Sequence, residues 1–276
     1  MIRSFDIFDT VLTRNVGSPE AVFLCTGQFA FREGLITVSP KEFKQLRIKA
    51  ETEARRKKGG GEVTLEDIYE SLAELGGILP EKVKFLLKLE LEIEDRGLRP
   101  VKVLAGELAD ARAIHGTVAF LSDMYLPAKF LETKLRAHGL FRDGDHLLVS
   151  ADHGVSKHSG KLYLDFLGNV GLKPAQLLHR GDNWISDVQM PKRLGIRTAH
   201  FDASALNRYE RILENHSEQT EAVTSFFAGA SRLVRLDAAS NSPRAAALQA
   251  VAAGVAGPTL LSYVLWVLRQ AVELKL

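Results

Sequence analysis

Carboxylates gather at the ends of apolar runs in this chain. The run IRSFDIF closes on Asp9-Thr10 and carries Asp6 within it, TVAFLSD closes on Ser122-Asp123, and QLLHRGD closes on Asp182-Asn183, with Asp187 five positions after Asp182. Read as strands of one open α/β sheet, these runs bring their carboxylates to a common rim, because such sheets bind ligands beyond the carboxyl ends of the strands, near the point where strand order reverses. Asp6, Asp182 and Asp187 would repel one another there unless a cation joined them, and hard oxygen donors favour Mg2+. A lone Asp at a strand end is ordinarily a helix cap. The three together point to a metal site.

The elements that must carry these residues follow from the periodicity. Ile2, Phe5, Ile7 and Phe8 make a first strand. From about residue 19 to 113 the spacing is helical: Phe43, Leu46 and Ala50 share a face, as do Leu65, Ile68, Leu72 and Leu75, while Val83, Leu86, Leu87, Glu90 and Leu91 extend a longer helix. Pro19, Pro40 and Pro80, each after a residue suited to a helix start, and Thr64 with Asp67 mark the helix beginnings. At Thr117 the period changes. The runs TVAFLSD, HLLVSA, QLLHRGD and RTAHF alternate with helical patterns at 128–138, 159–170 and 186–194, the signature of a parallel sheet covered by helices. The expected fold is α/β, a doubly wound parallel sheet built from residues 1–14 and 100–206, with a helical insertion at 15–99 and a helical tail at 207–276.

Composition narrows the function classes. With 276 residues, 46% hydrophobic and 25% charged, the chain is an ordinary globular one, and a net charge of +2 gives no reason to expect a nucleic-acid partner. The single cysteine, Cys25, cannot make an internal disulfide, and Arg3, Asp6 and Asp9 interrupt any secretory signal near Met1, so a reducing cytoplasm is the default compartment. Residues 245–268 carry no charge, and about 20 apolar residues can span a bilayer. Gln249, Ser262, the Gly257-Pro258-Thr259 break and the Ala/Gly-rich first half favour two packed helices instead, with Pro258 in the first turn of the second. The basic stretch ARRKKGGGE at 54–62 is helix-termination chemistry, and GVSKHSGKL lacks the spacing of a nucleotide phosphate loop.

The ordered motifs resemble those of the haloacid dehalogenase superfamily. SFDIFDTVL is similar to its first motif, with Asp6 in the place of the nucleophile and Thr10 four positions on; VAFLSD resembles the second and supplies Ser122; Lys157, six residues before Tyr163, resembles the third; GDNWISD resembles the fourth and supplies Asp182 and Asp187. The helical insertion falls where that superfamily places a cap. The wording is most similar to bacterial hydrolase-like domains with FDIFDT and SDMYLP-type motifs, often associated with surface-polysaccharide glycosyltransferases. The resemblance implies a phosphatase in which Asp6 attacks phosphorus to give an aspartyl-phosphate. It further implies Mg2+ held by Asp6, the Phe8 carbonyl and Asp182 with Asp187 nearby, and phosphoryl oxygens bound by Ser122 and Lys157, with Thr10 and Asp123 on the substrate side. Lys161 is the rival for Lys157, and spacing favours Lys157.

One position departs from the pattern. Phosphatases of this kind carry a second Asp two residues after the nucleophile to protonate the leaving oxygen, and here that residue is Phe8. Asp9, one position later, is the first candidate to replace it. The expectation is therefore a Mg2+-dependent phosphohydrolase acting on a small phosphorylated metabolite, a sugar phosphate or a nucleotide. The rival is a catalytically weak or silent module of the same fold that docks a glycosyltransferase or a membrane through its C-terminal helices. A homodimer or protein partner through those helices is expected in preference to a membrane.

Overall fold

In the computed structural model, which describes residues 2–76, 78–237 and 242–275, the chain opens on β1 (Ile2–Phe5), turns, and leaves along β2 (Leu12–Arg14) into four helices. These are α1 (Pro19–Arg32), α2 (Pro40–Lys57), α3 (Leu65–Glu74) and α4 (Val83–Gly97), and the chain returns along β3 (Leu98–Pro100). Helices and strands then alternate: α5 (Ala105–His115), β4 (Val118–Ser122), α6 (Ala128–Ala137), β5 (His146–Val149), α7 (Ser150–His153), α8 (Lys161–Val170), β6 (Leu177–Gly181), α9 (Met190–Arg193) and β7 (Arg197–His200). The tail is α10 (Arg208–Glu214), α11 (Val223–Asp237), α12 (Pro243–Val251) and α13 (Gly257–Glu273).

The five long-range strands pair in parallel in the order β5-β4-β1-β6-β7. The chain builds outward from β1 on one side, then crosses back to build on the other, so strand order reverses at β1. At β4 the sheet is buried on both faces. Along β4, Val118 and Phe120 join the cluster that holds Phe5, Ile7, Leu131 and Leu135, while Ala119 and Leu121 join the cluster of Leu162, Tyr163, Phe166 and Leu177. That two-sided covering is why these strands read as continuous apolar runs.

The inserted helices start where the sequence expects them. Ser39 and Thr64 each accept a hydrogen bond from the third helical amide, and Glu42 and Asp67 return it, closing a capping box at α2 and at α3. Charge is buried among them: Arg47 donates to Glu90 at 2.9 and 2.8 Å, and Arg14 donates to Glu94 at 3.0 and 2.7 Å. β2 and β3 pair antiparallel, Leu12 with Pro100 and Arg14 with Leu98, making a short ribbon through which the chain enters and leaves the insertion. Three residues without alternation give no strand signal, so the sequence reading had none there.

The tail is joined to the body at α11, and its end differs from expectation. α11 is fastened to the connection between β2 and α1: the Gly17 amide donates to the Ser225 carbonyl at 3.0 Å, and Arg232 donates to the carbonyls of Arg14 and Val16 at 3.0 and 2.8 Å. Gly229 is required there, since a Cβ would come within 2.2 Å of the Asn15 backbone. Further on, α12 and α13 are not two packed helices but parts of one 31-residue helical run, Pro243–Glu273. Its middle, Ala252–Ala256, is wound as a π-helix, and Gly257 N–H reaches back to the Ala252 carbonyl. A wider turn of this kind accommodates Pro258, which brings a ring and no N–H, without ending the helix.

Candidate active site

Register sets the site. Phe5 lies opposite Phe120 on β4 and Arg180 on β6, so the next residue, Asp6, comes level with the ends that carry Ser122 and Asp182. The Asp6 amide extends the pairing by donating to the Arg180 carbonyl at 2.8 Å. The strand then gives way to a tight turn in which the amides of Val11 and Leu12 donate to the Ile7 carbonyl at 3.0 and 2.8 Å, with Asp9 at a φ of 51°. Asp is among the few non-glycine residues that tolerate this left-handed region. Alternation along a strand therefore does not govern Phe8 and Asp9.

Lys157 is the hub. Its Nζ lies 2.5 Å from Asp6 Oδ1 and 2.6 Å from Asp187 Oδ1, and all three side chains are buried. The lysine is carried on the loop before α8, whose backbone is held by Asp123: Oδ1 accepts the Lys157 amide at 2.6 Å and Oδ2 the His158 amide at 3.1 Å. Asp123, expected on the substrate side, thus has both oxygens committed to placing Lys157. Thr10 donates to Asp6 Oδ2 at 3.4 Å, and Ser122 is buried at the end of β4. Lys161 falls in the first turn of α8, outside this cluster of contacts.

Asp187 is enclosed. Besides Lys157, its Oδ1 meets His179 Nε2 at 3.1 Å, and its Oδ2 accepts the Asn183 amide at 2.9 Å. His179 Nδ1 in turn pairs with Ser4 Oγ at 2.8 Å, and Tyr163 presents its ring edge-on to the imidazole with centroids 5.1 Å apart. Gly181 is obligatory, because a Cβ would approach the Asp187 carboxyl to 2.4 Å. His179 escaped the sequence reading, yet alternation in β6, with Leu177, His179 and Gly181 buried, carried the signal that it points inward.

The charge balance is acidic. Asp6, Asp182 and Asp187 can offer oxygens within 4.8 Å of one another. Burial pushes Asp6 well above the usual carboxylate range; Lys157 pulls it down, and Asp187 and Asp182 push it further up. Burial and the charges of Asp9 and Asp187 raise Asp182 to about 6. Asp187 runs the other way: burial opposes its charge, but Lys157 and His179 hold it below the ordinary range. Burial also lowers His179, favouring the neutral imidazole. Two strained carboxylates beside one ammonium already shared with a third suit an added hard cation, with Asp6 and Asp182 as its side-chain donors. Asp187, expected near the ion, is already engaged by three protein donors and fits a supporting place beside it.

Phe8 stands half-buried with the Arg14 guanidinium 4.5 Å over its ring. Asp9, the expected substitute acid, accepts the Thr13 hydroxyl at 2.6 Å and lies 3.3 Å from Arg232 Nη1, so its carboxylate is engaged by neighbours on the protein. Arg14, Arg232 and His179 are contributors that sequence reasoning missed. A cavity of about 440 Å3 opens between the inserted helices and the body, lined among others by Arg14, whose guanidinium covers Phe8, and by Phe23, Glu51, Arg55 and Tyr125. Trp184 is exposed at the rim, edge-on to His200 with centroids 5.3 Å apart.

The sheet order and the insertion after β1 define a doubly wound α/β fold, and comparison with solved structures shows which proteins share it. L-2-haloacid dehalogenase from Xanthobacter autotrophicus matches with a TM-score of 0.52 at 20% identity, over 83% of this chain and 88% of that one. A HAD phosphatase from Thermococcus onnurineus matches with a TM-score of 0.51 at 19% identity, over 75% of this chain and 86% of its own. A HAD-hydrolase from Bacillus subtilis bound to magnesium gives 0.51 at 17%, over 73% and 88%. This chain has the fold of the haloacid dehalogenase superfamily. No family model and no curated protein matches the sequence.

Proposed function

We propose that this chain is a Mg2+-dependent phosphohydrolase that works through an aspartyl-phosphate on Asp6 and acts on a small phosphorylated metabolite. The observation that carries the reading is the pairing of Asp6 with Lys157 beside Asp182, whose carboxyl is pushed up to about 6 by burial and by Asp9 and Asp187. Dehalogenases of this fold lack the Gly-Asp fourth motif and need no metal, whereas GDNWISD supplies an acidic neighbour for Asp6. The magnesium-bound neighbour from Bacillus subtilis shows that a protein of this fold can hold the ion. When bound, Mg2+ would offset the repulsion between the carboxylates and the incoming phosphate.

The chain's own residues then divide the work. A carboxylate oxygen of Asp6 attacks phosphorus, forming one P–O bond as the bond to the leaving oxygen breaks; water hydrolyses the resulting acyl phosphate in a second step, returning the Asp6 carboxylate and releasing phosphate. Lys157 Nζ stabilises charge on the phosphoryl oxygens while Asp187, braced by His179 and the Asn183 amide, keeps the ammonium in place. Ser122 and Thr10 stand at the ends of the adjoining segments to donate to the same oxygens. The cavity lined by Arg14, Phe23 and Tyr125 would receive the rest of the substrate.

A phosphatase screen over sugar phosphates and nucleotides, with and without Mg2+, tests the reading. Activity unchanged by EDTA would refute the metal assignment. The pH dependence has a defined sign. Because Asp182 is raised to about 6, protons compete with the cation below that value, and the Mg2+ concentration for half-maximal activity should rise roughly tenfold per pH unit there. Asp182→Asn should remove most of the affinity and leave only the part of that dependence carried by Asp6, measured by calorimetric titration of Mg2+.

A second reading has its own support in Phe8. With no acid beside the leaving oxygen and Asp9 engaged by Arg232, the chain could be a weak or silent relative that serves to dock a partner such as a glycosyltransferase. Leaving-group chemistry separates the two. General acid catalysis is worth about 10²–10⁴-fold, so aryl or acyl phosphates should be cleaved faster than alkyl phosphates by about that factor. Phe8→Asp should narrow the gap. Equal rates on both substrate classes would show that a proton donor other than residue 8 is present, and no turnover on any of them would favour the docking reading.

A further inference from the structure

The C-terminal helical run Pro243–Glu273 has no place in the chemistry above. It is 31 residues long, yet only 11% of its most apolar 18-residue stretch is buried. A core helix of that composition would be enclosed; this one stands out from the body. Residues 245–268 carry no charge, and at 1.5 Å per residue they extend roughly 36 Å, enough to cross the ~30 Å hydrocarbon layer of a bilayer with some tilt. Charge returns at both ends, with Arg244 before the run and Arg269, Glu273 and Lys275 after it.

Three further features favour lipid over a protein partner. The six residues 263–268, Tyr-Val-Leu-Trp-Val-Leu, are each 40% exposed or more, and six successive residues occupy every side of a helix that turns in 3.6. A partner or a second copy covers one stripe, whereas lipid surrounds the whole circumference. Tyr263 and Trp266, stacked with centroids 6.3 Å apart, lie within two turns of Arg269, the order in which aromatic side chains mark a membrane-water boundary. Thr259 donates its hydroxyl to the Val255 carbonyl at 2.8 Å, satisfying inside the helix a group that hydrocarbon could not.

The N-terminal part of the run lies on α11 without being sealed to it. Gln249 Nε2 donates to the Val234 carbonyl at 2.9 Å and Gly254 passes close to Tyr209, but beside them Phe227, Ala230 and Val234 face Ala253, Pro258 and Leu261 across a gap of about 260 Å3. From these observations we infer that the Pro243–Glu273 helix anchors the chain in a lipid bilayer, reversing the expectation of a protein-packed tail. The inference goes beyond the phosphatase reading and does not depend on it, since its test needs no turnover.

The test is flotation of the full chain with vesicles of neutral phosphatidylcholine, at low and at high salt. Wild type should rise with the vesicles under both conditions. The double variant Leu260→Arg/Val264→Arg, at two exposed positions near the middle of the run, should remain below, its floating fraction down by about tenfold or more, with an unchanged circular dichroism melt. Wild type that stays below as a soluble monomer would overturn the inference. So would binding confined to anionic vesicles and released by salt, or a soluble dimer that ignores vesicles.

Discussion

Asp6→Asn is expected to lower phosphate-ester turnover by roughly 10⁴-fold or more, as removal of a sole nucleophile does in other covalent enzymes, while the fold survives intact. The amide keeps the shape of the carboxyl but cannot attack phosphorus. Stability should hold or rise for a reason visible in the site. Burial together with Asp187 and Asp182 pushes Asp6 above its usual range, so ionised Asp6 is a net cost to the folded state at neutral pH, and the neutral amide removes that cost. Lys157 keeps Asp187 as its counter-charge at 2.6 Å. Acid-quenched wild type incubated with labelled substrate should carry phosphate on Asp6, and the variant should carry none. A variant that retained more than a few per cent of wild-type turnover would remove Asp6 from the nucleophile's place.

Much of the body was legible because parallel strands buried on both faces leave an unmistakable mark. VAFLS and HLLV are continuous apolar runs, and each is a strand of the five-membered sheet. The inserted helices were legible from their caps, with Ser39-Pro40 and Thr64-Asp67 starting α2 and α3 as read. What the sequence hid were features that depend on contacts between distant segments. The β2–β3 ribbon has too few residues for a period, and it exists because the chain must leave and re-enter the body at adjacent points. The continuity of the C-terminal helix was hidden by Pro258, which reads as a break unless a π-turn precedes it.

The candidate site divides in the same way. Asp6, Lys157, Asp182 and Asp187 were found because motif order and strand ends are properties of the linear chain, and the structure brings these four together. The resemblance put Asp123 on the substrate side, yet its partners are amides 34 and 35 positions away, a pairing no local pattern encodes. Arg232 lies 223 residues from the Asp9 it pairs with, and nothing around SRLV in α11 marks it. The positive φ at Asp9 is what turns that carboxylate toward Arg232 and away from the path that strand alternation would give it.

The largest effect on stability is expected at Glu90. Its carboxylate is fully buried between α2, α3 and α4, where Oε1 accepts from Arg47 Nη2 at 2.8 Å, and Oε2 accepts from Arg47 Nε at 2.9 Å and from the Tyr69 hydroxyl at 2.8 Å. The Arg47 guanidinium lies 4.4 Å from the Phe23 ring and 4.9 Å from that of Tyr125, which follows the Ser122-Asp123 rim by two residues. Glu90→Ala would leave the buried guanidinium with only Glu51, 3.5 Å from Nη1, as a carboxylate partner, a loss of about 3 kcal/mol or more. At about 2–4 °C per kcal/mol for a chain of this size, the melting temperature should fall by roughly 10 °C. The double variant Arg47→Met/Glu90→Leu removes both charges and fills the volume, and should recover most of that loss. A melting temperature of Glu90→Ala within about 2 °C of wild type would mean that water reaches Arg47 and the pair is not sealed. Because the same guanidinium packs on Tyr125, the single variant should also raise KM more than it lowers kcat, through a loosened wall of the cavity that Tyr125 lines.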